Sequence, residues 1–136
     1  MKLLVIDGMG GGIGKAVISY LKEQRFEGEI IAVGTNSTAT NAMLRAGADA
    51  AATGTNAVVY NCARTDLIIG PLGIAFANAI HGEISPEVAL AVTGSDARKI
   101  LLPVSKCNAV VLGSREASLT ELLAEMMEMI RNEQNR

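Results

Sequence analysis

Aromatic side chains are nearly missing from this chain: its 136 residues include no tryptophan, two tyrosines and two phenylalanines. Any core must therefore be aliphatic, and a hydrophobic content of 49% with a mean hydropathy of +0.30 is enough to build one. An excess of either charge is also missing. Twelve basic and fourteen acidic residues leave a net charge of −2, which argues against a nucleic-acid surface or an anionic-membrane surface. Cysteine is scarce: Cys62 and Cys107 stand far apart with no CxxC spacing, which suits a reducing cytoplasm better than a disulfide framework. With a single histidine, His81, beside those two cysteines, three zinc ligands are hard to assemble, so no metal site is expected. Long apolar runs are lacking too. Leu3–Ile6 ends at Asp7 and Gly8, too soon for a secretory signal. The uncharged stretch Leu67–Gly82 is interrupted by Pro71, Asn78 and its glycines, and is too short to span a bilayer. The expectation is one cytoplasmic domain over residues 1–136.

What is present is alternation. Leu3–Ile6 reads as a buried strand, and Ile13, Val17, Ile18 and Leu21 recur with helical period to about Gln24. Glu29–Val33 is a second strand, followed by a helix that Ser37 or Thr38 caps and Gly47 ends. Ala50–Ala52 is a short third strand. Asn56–Arg64 reads as a helix, with Val58–Tyr60 as strand the alternative. Leu67–Ile69 is a fourth strand, and Ser85-Pro86-Glu87 starts a helix. Ile100–Val104 and Ala109–Leu112 read as two late strands joined through Ser105–Asn108, and Ser118-Leu-Thr-Glu121 is a capping box opening the last helix. Near-continuous apolar strands alternating with helices predict an α/β, doubly wound, Rossmann-like parallel sheet of five or six strands covered on both faces. Ligands of such sheets sit beyond the carboxyl ends of the strands.

Gly8, Gly10, Gly11, Gly12 and Gly14 crowd into the segment between the first strand and first helix, with Met9 and Ile13 between them. Such a loop permits tight turns and close backbone approach, and the helix behind it offers unpaired N–H groups to a phosphate. Residues 8–14 are therefore the candidate cofactor-binding loop. The GxGxxG pattern fails because Ile13 or Lys15 stands where its last glycine should be. The GxxxxGK[ST] pattern fails at Met9 and at Ala16. About 20 residues on, where an acid would bind the ribose of NAD, the chain has Thr35, Asn36 and Ser37, with no acid between Glu29 and Asp49. Hydroxyls and an amide favour a 2′-phosphate, hence NADP over NAD; plain helix capping accounts for the same residues. Gly70 and Pro71, after the fourth strand, are candidates for the nicotinamide end, or a turn.

Gly8, Gly12 and Gly14 match GxxxGxG, which resembles the cofactor loop of the short-chain dehydrogenases/reductases over residues 1–36. That resemblance implies a dinucleotide pyrophosphate on the helix N-terminus. It does not extend to catalysis, because Tyr60-xxx-Arg64 comes too early and carries the wrong base for that superfamily's Tyr-xxx-Lys. Across most of the chain, VIDG-x-GGGIGK, IIGPLGI and KILLPVSKCN together resemble a family of short bacterial proteins catalogued as a domain of unknown function. This second resemblance implies a self-standing cytoplasmic domain and assigns no catalytic residue.

The remaining reactive candidates are isolated. His81 is either a proton donor or a surface group, and Cys107 beside Lys106 is either an activated thiol or a small buried hydrophobe. Asp7 is expected to cap the glycine turn, and Lys15 faces an anion or solvent. The sequence thus points to a small-molecule nucleotide ligand, NADP or NAD. A mononucleotide on the same loop and a non-catalytic sensing or scaffolding subunit are the alternatives. In the last helix Leu119, Leu122, Leu123, Met126 and Ile130 form an apolar stripe that Met127 and Met129 widen, so a homodimer is expected.

Overall fold

The computed structural model describes residues 1–104 and 108–136. Its elements alternate as the apolar pattern predicts: β1 (Lys2–Asp7), α1 (Gly12–Glu23), β2 (Glu29–Gly34), α2 (Ser37–Ala46) and β3 (Ala50–Thr53) form the first half. α3 (Thr55–Cys62), β4 (Leu67–Pro71), α4 (Pro86–Gly94), β5 (Arg98–Leu102) and α5 (Leu119–Gln134) form the second. The five strands make one sheet in the order β3-β2-β1-β4-β5, and every pairing is parallel. The fold is α/β, doubly wound and Rossmann-like. The chain winds outward from β1 to β3 and then returns to β4 on the other side, so the crevice at the switch point opens between β1 and β4.

Side chains along β1 alternate between two cores because successive Cβ atoms point to opposite faces. Leu3 and Val5 pack with Val17, Ile18 and Leu21 of α1, Met43 of α2, and Leu123, Met126, Met127 and Ile130 of α5. Leu4 and Ile6 pack instead with Val58 and Cys62 of α3 and Val88 and Val92 of α4. Helices therefore cover both faces, which is why the interiors of the central strands, Leu3–Ile6 and Leu67–Ile69, are apolar.

Local signals set several boundaries. Ser85 caps α4 by accepting from Val88 N–H at 3.2 Å, and Ser118 caps α5 by accepting from Glu121 N–H at 3.2 Å. The cap of α2 is Asn36 rather than Ser37 or Thr38: its Oδ1 accepts from Ala39 N–H at 2.9 Å. Residues 55–62 are helical, so Val58–Tyr60 is not a strand.

Three expectations are corrected. Ala109–Leu112 is no strand: Ser114 N–H donates to the Val111 carbonyl at 3.2 Å, Gly113 has φ of +84°, and Leu112 is 92% exposed. An apolar run forms a strand only where a neighbour completes its ladder, and the sheet stops at β5. β5 itself begins earlier than expected, at Arg98, and the joining residues 105–107 lie outside the described residues. Met127 does not widen an exposed stripe. It is 4% exposed and belongs to the core beneath α5, whereas Met129 is 44% exposed.

Gly70 is buried within β4, and a Cβ there would fall against the Ile6 carbonyl oxygen of β1 and within 2.8 Å of Ile74 Cδ1. Close strand approach thus explains this glycine. Gly70→Ala should destabilise the fold by about 1–3 kcal/mol, read as a lower urea midpoint with an unchanged slope.

Candidate functional site

The end of β1 delivers Asp7 into the base of the glycine loop. Only 4% exposed, it accepts from Gly8 N–H through Oδ1 at 2.8 Å and from Gly14 N–H through Oδ2 at 2.7 Å. This carboxylate does for α1 what its N-cap, Gly11, has no side chain to do. Burial pushes the Asp7 carboxyl above its ordinary pKa, against the lowering effect of the Gly14 and Gly8 amides.

The five glycines of the loop divide by cause. Gly11 has φ of +74°, and a Cβ on it would lie 2.8 Å from the Ala39 backbone of α2. At Gly14 a Cβ would strike the Met43 side chain and lie 3.1 Å from Asp7 Cβ. At Gly8 it would lie 2.8 Å from Thr35 Oγ1. Gly10 and Gly12 differ: neither has positive φ, and nothing lies within 4 Å of either missing Cβ. Both are exposed, and among the described residues their N–H groups meet no protein acceptor.

Thr35 and Asn36 follow β2 directly and are brought against this loop. Thr35 N–H donates to the Asp7 carbonyl at 3.0 Å, and Asn36 Nδ2 donates to the Met9 carbonyl at 2.9 Å. Ser37 is exposed on the first turn of α2. Of the other expected positions, Met9 is exposed with φ of 49°, and Ile13 packs against the core of the α1 face. Gly70 and Pro71 are buried in β4, so neither is open to a ligand in this arrangement. Their Gly-Pro pair is part of a strand, so the alternative reading as a turn does not hold either.

A residue that the sequence reading passed over completes the site. Glu83, in the turn before α4, accepts from Thr35 Oγ1 at 2.7 Å and Asn36 Nδ2 at 2.7 Å, both through Oε1. Met9 N–H donates to both of its oxygens, at 3.1 and 3.2 Å. Partial burial works to raise the Glu83 pKa. The bonds from Thr35, Asn36 and Met9, with His81 nearby, outweigh that and hold the carboxyl below its ordinary value. No local pattern marks Glu83; its partners lie 47 to 74 residues away.

His81 is exposed, in the same turn. Lys15 is exposed on α1, and Lys106 and Cys107 lie outside the described residues. Cys62 is buried, and burial pushes its thiol up to about 11, which makes it inert. Among the described residues no three metal-ligating side chains converge, and no helix is long and apolar enough to cross a membrane. A groove of about 360 Å³ lies between β5 and α5, lined in part by Leu102, Pro103, Arg115 and Met129. It is separate from the glycine loop and holds none of the groups expected to bind a ligand.

Two outcomes follow from these carboxylates. Asp7→Ala should cost about 1–3 kcal/mol, because the Gly8 and Gly14 amides lose their buried acceptor, measured by denaturant unfolding at pH 7. The lowered Glu83 value works in the opposite pH range from a raised one. Its contribution to stability is full above about pH 4.3, the unfolded value, and is lost as pH falls through the folded value. Glu83→Gln should therefore flatten the acid limb of the melting temperature against pH.

No curated protein matches the sequence. Among solved structures, a dodecameric FMN-dependent UbiX-like decarboxylase from Escherichia coli O157:H7 aligns at 20% identity with a TM-score of 0.48. The alignment covers 97% of this chain and 75% of that one. A family model matches residues 2–135, and the chain accordingly belongs to the family described as Domain of unknown function (DUF3842).

Proposed function

We propose that residues 1–136 are a single cytoplasmic domain that binds a nicotinamide dinucleotide, NADP(H) or NAD(H), at the carboxyl edge of the sheet. One observation carries this reading. Gly10 and Gly12 have neither a backbone conformation nor a protein neighbour that requires glycine, whereas Gly8, Gly11 and Gly14 all do. Glycine at an open position leaves room for something outside the protein to reach the backbone. The residues present fit a diphosphate: Gly10 and Gly12 offer N–H groups, and α1 contributes the positive end of its dipole. Asp7 takes the inner amides and holds the loop in shape, leaving the outer ones for ligand. Thr35, Asn36 and Ser37 stand where the adenosine ribose would lie. A bound nicotinamide dinucleotide supplies hydride-transfer chemistry; the chain's own part is to hold and orient it.

The test is thermal shift over NAD(H), NADP(H), FAD, ATP, GTP and coenzyme A. A nicotinamide dinucleotide at 100 times its dissociation constant should add about 2.7 kcal/mol. Gly12→Val should fold and lose that shift, since its side chain enters open space on the ligand side. Gly14→Val is not equivalent, because it collides with Met43 and destabilises the fold itself. A shift with ATP or GTP alone would mean a mononucleotide; an unchanged affinity in folded Gly12→Val would end the assignment.

A homodimer belongs to the same proposal. Leu119 and Met129 on α5, with Val110 and Leu112 before it, are exposed apolar residues that a second copy would cover. Met129→Glu should halve the mass seen by light scattering, and a wild type already monomeric at micromolar concentration overturns it.

A further inference from the structure

The carboxyl edge carries an acid that no element of β1, α1 or β2 encodes. β1 lies between β4 and β2 in the sheet, so the turn after β4 has to pass over the end of β1 to set Glu83 on Thr35 and Asn36. The turn reaches there through left-handed backbone at Asn78, Ile80, His81 and Gly82, with φ of 67°, 55°, 52° and 88°. That conformation is costly for any L-residue and most of all for a β-branched one such as Ile80. At the far side, Gly8 makes the approach possible: a Cβ there would lie 3.2 Å from Glu83 Oε1.

We propose that Glu83 selects the adenosine ribose of the ligand, accepting from the free 2′,3′-diol of an NAD-type dinucleotide and turning away one that carries a 2′-phosphate. The inference rests on the dinucleotide reading of the glycine loop. Its first support is position. Dinucleotide-binding Rossmann units carry an Asp or Glu at the end of the second strand to bind this diol. Here the strand end is Gly34-Thr35-Asn36 and the acid comes from another element to the same place. Its second support is spare capacity. Oε1 accepts from Thr35, Asn36 and Met9, but among the described residues Oε2 accepts only from Met9 N–H at 3.2 Å, so Oε2 keeps lone pairs for a hydroxyl donor. Its third support is charge. Three neutral donors hold Glu83, and none of the ion pairs among the described residues involves it. His81 of the same turn is nearby but makes no ion pair with it, so the charge of Glu83 remains to repel a phosphate dianion.

Dissociation constants of NADH and NADPH for the whole chain, measured by calorimetry, decide the matter. The wild type should bind NADH roughly tenfold or more tightly than NADPH. Glu83→Gln keeps the size of the side chain and an acceptor for Thr35 but removes the charge, so the gap should close, chiefly through tighter NADPH binding. A role confined to tying the turn to the loop would leave the ratio unmoved. Equal affinities in the wild type, a preference for NADPH, or an unchanged ratio in Glu83→Gln would each overturn the proposal while the dinucleotide reading stands. Tighter binding of both cofactors by Glu83→Ala would overturn it too, marking Glu83 as an occupant that the ligand displaces. Failure of both dinucleotides to bind the wild type removes the reading and the inference together. Should Glu83→Gln fail to fold, Glu83→Asp, which keeps the charge but draws it back by one methylene, should narrow the ratio, and an unchanged ratio there overturns the proposal.

Discussion

The carboxylate of Asp7 sits where the strand, the loop and the helix of the first βα unit meet, and the geometry of the edge depends on it. Its two oxygens hold the amides of Gly8 and Gly14, so the loop is pinned at both ends. Its backbone carbonyl accepts from Thr35 N–H, which ties the end of β2 to the same residue. Burying an acid here opposes its ionisation, and the amides offset that cost: that of Gly14 would otherwise be an orphan donor in the first turn of α1 and that of Gly8 a buried donor without a partner. The arrangement works only with glycine at position 14, where a Cβ would press on Asp7 and Met43. The outer face of the loop, at Gly10 and Gly12, is then left with N–H groups that meet no acceptor among the described residues.

Around this anchor the doubly wound topology concentrates polar groups at one edge. The crevice of a sheet ordered β3-β2-β1-β4-β5 opens at its reversal between β1 and β4. Glu83 spans it, joining the turn after β4 to both the glycine loop and the end of β2. Asn78, Ile80 and His81, three of the six non-glycine residues with positive φ among the described residues, lie in the same turn, so strained backbone is used to deliver one carboxylate. Asn36 complements it, capping α2 with Oδ1 while Nδ2 bonds Met9 and Glu83. Capping and site-building are one side chain's work here, not competing explanations of it.

The near absence of aromatics is met by layering. Aliphatic residues of β1 and β4 fill both faces, and Met43, Met126 and Met127 complete the one covered by α1, α2 and α5. Unbranched thioethers fit the uneven gaps that helices leave over a twisted sheet. This explains why Met127, which looks surplus on a helical wheel, is buried.

Features governed by neighbours in sequence were determined by the sequence itself. The buried strands β1, β2 and β4, the period of α1, the Ser85 and Ser118 caps and the position of the glycine loop follow from residues a few places apart, which local sterics and hydrogen bonding control. The α/β class follows from their alternation. Tertiary structure decided what depends on distant contacts. It separated Met127 from Met129, because burial on a helix depends on what lies against it. It left Ala109–Leu112 outside the sheet, because a strand requires a partner that composition does not supply. It assigned Gly70 to packing against Ile6, and it distinguished the two loop glycines that nothing crowds from the three that the protein requires. Above all it set Glu83 beside Thr35 and Asn36. An acid 48 residues from its partner reaches it only once the sheet order and the turn over β1 exist, and no spacing in the sequence encodes that meeting.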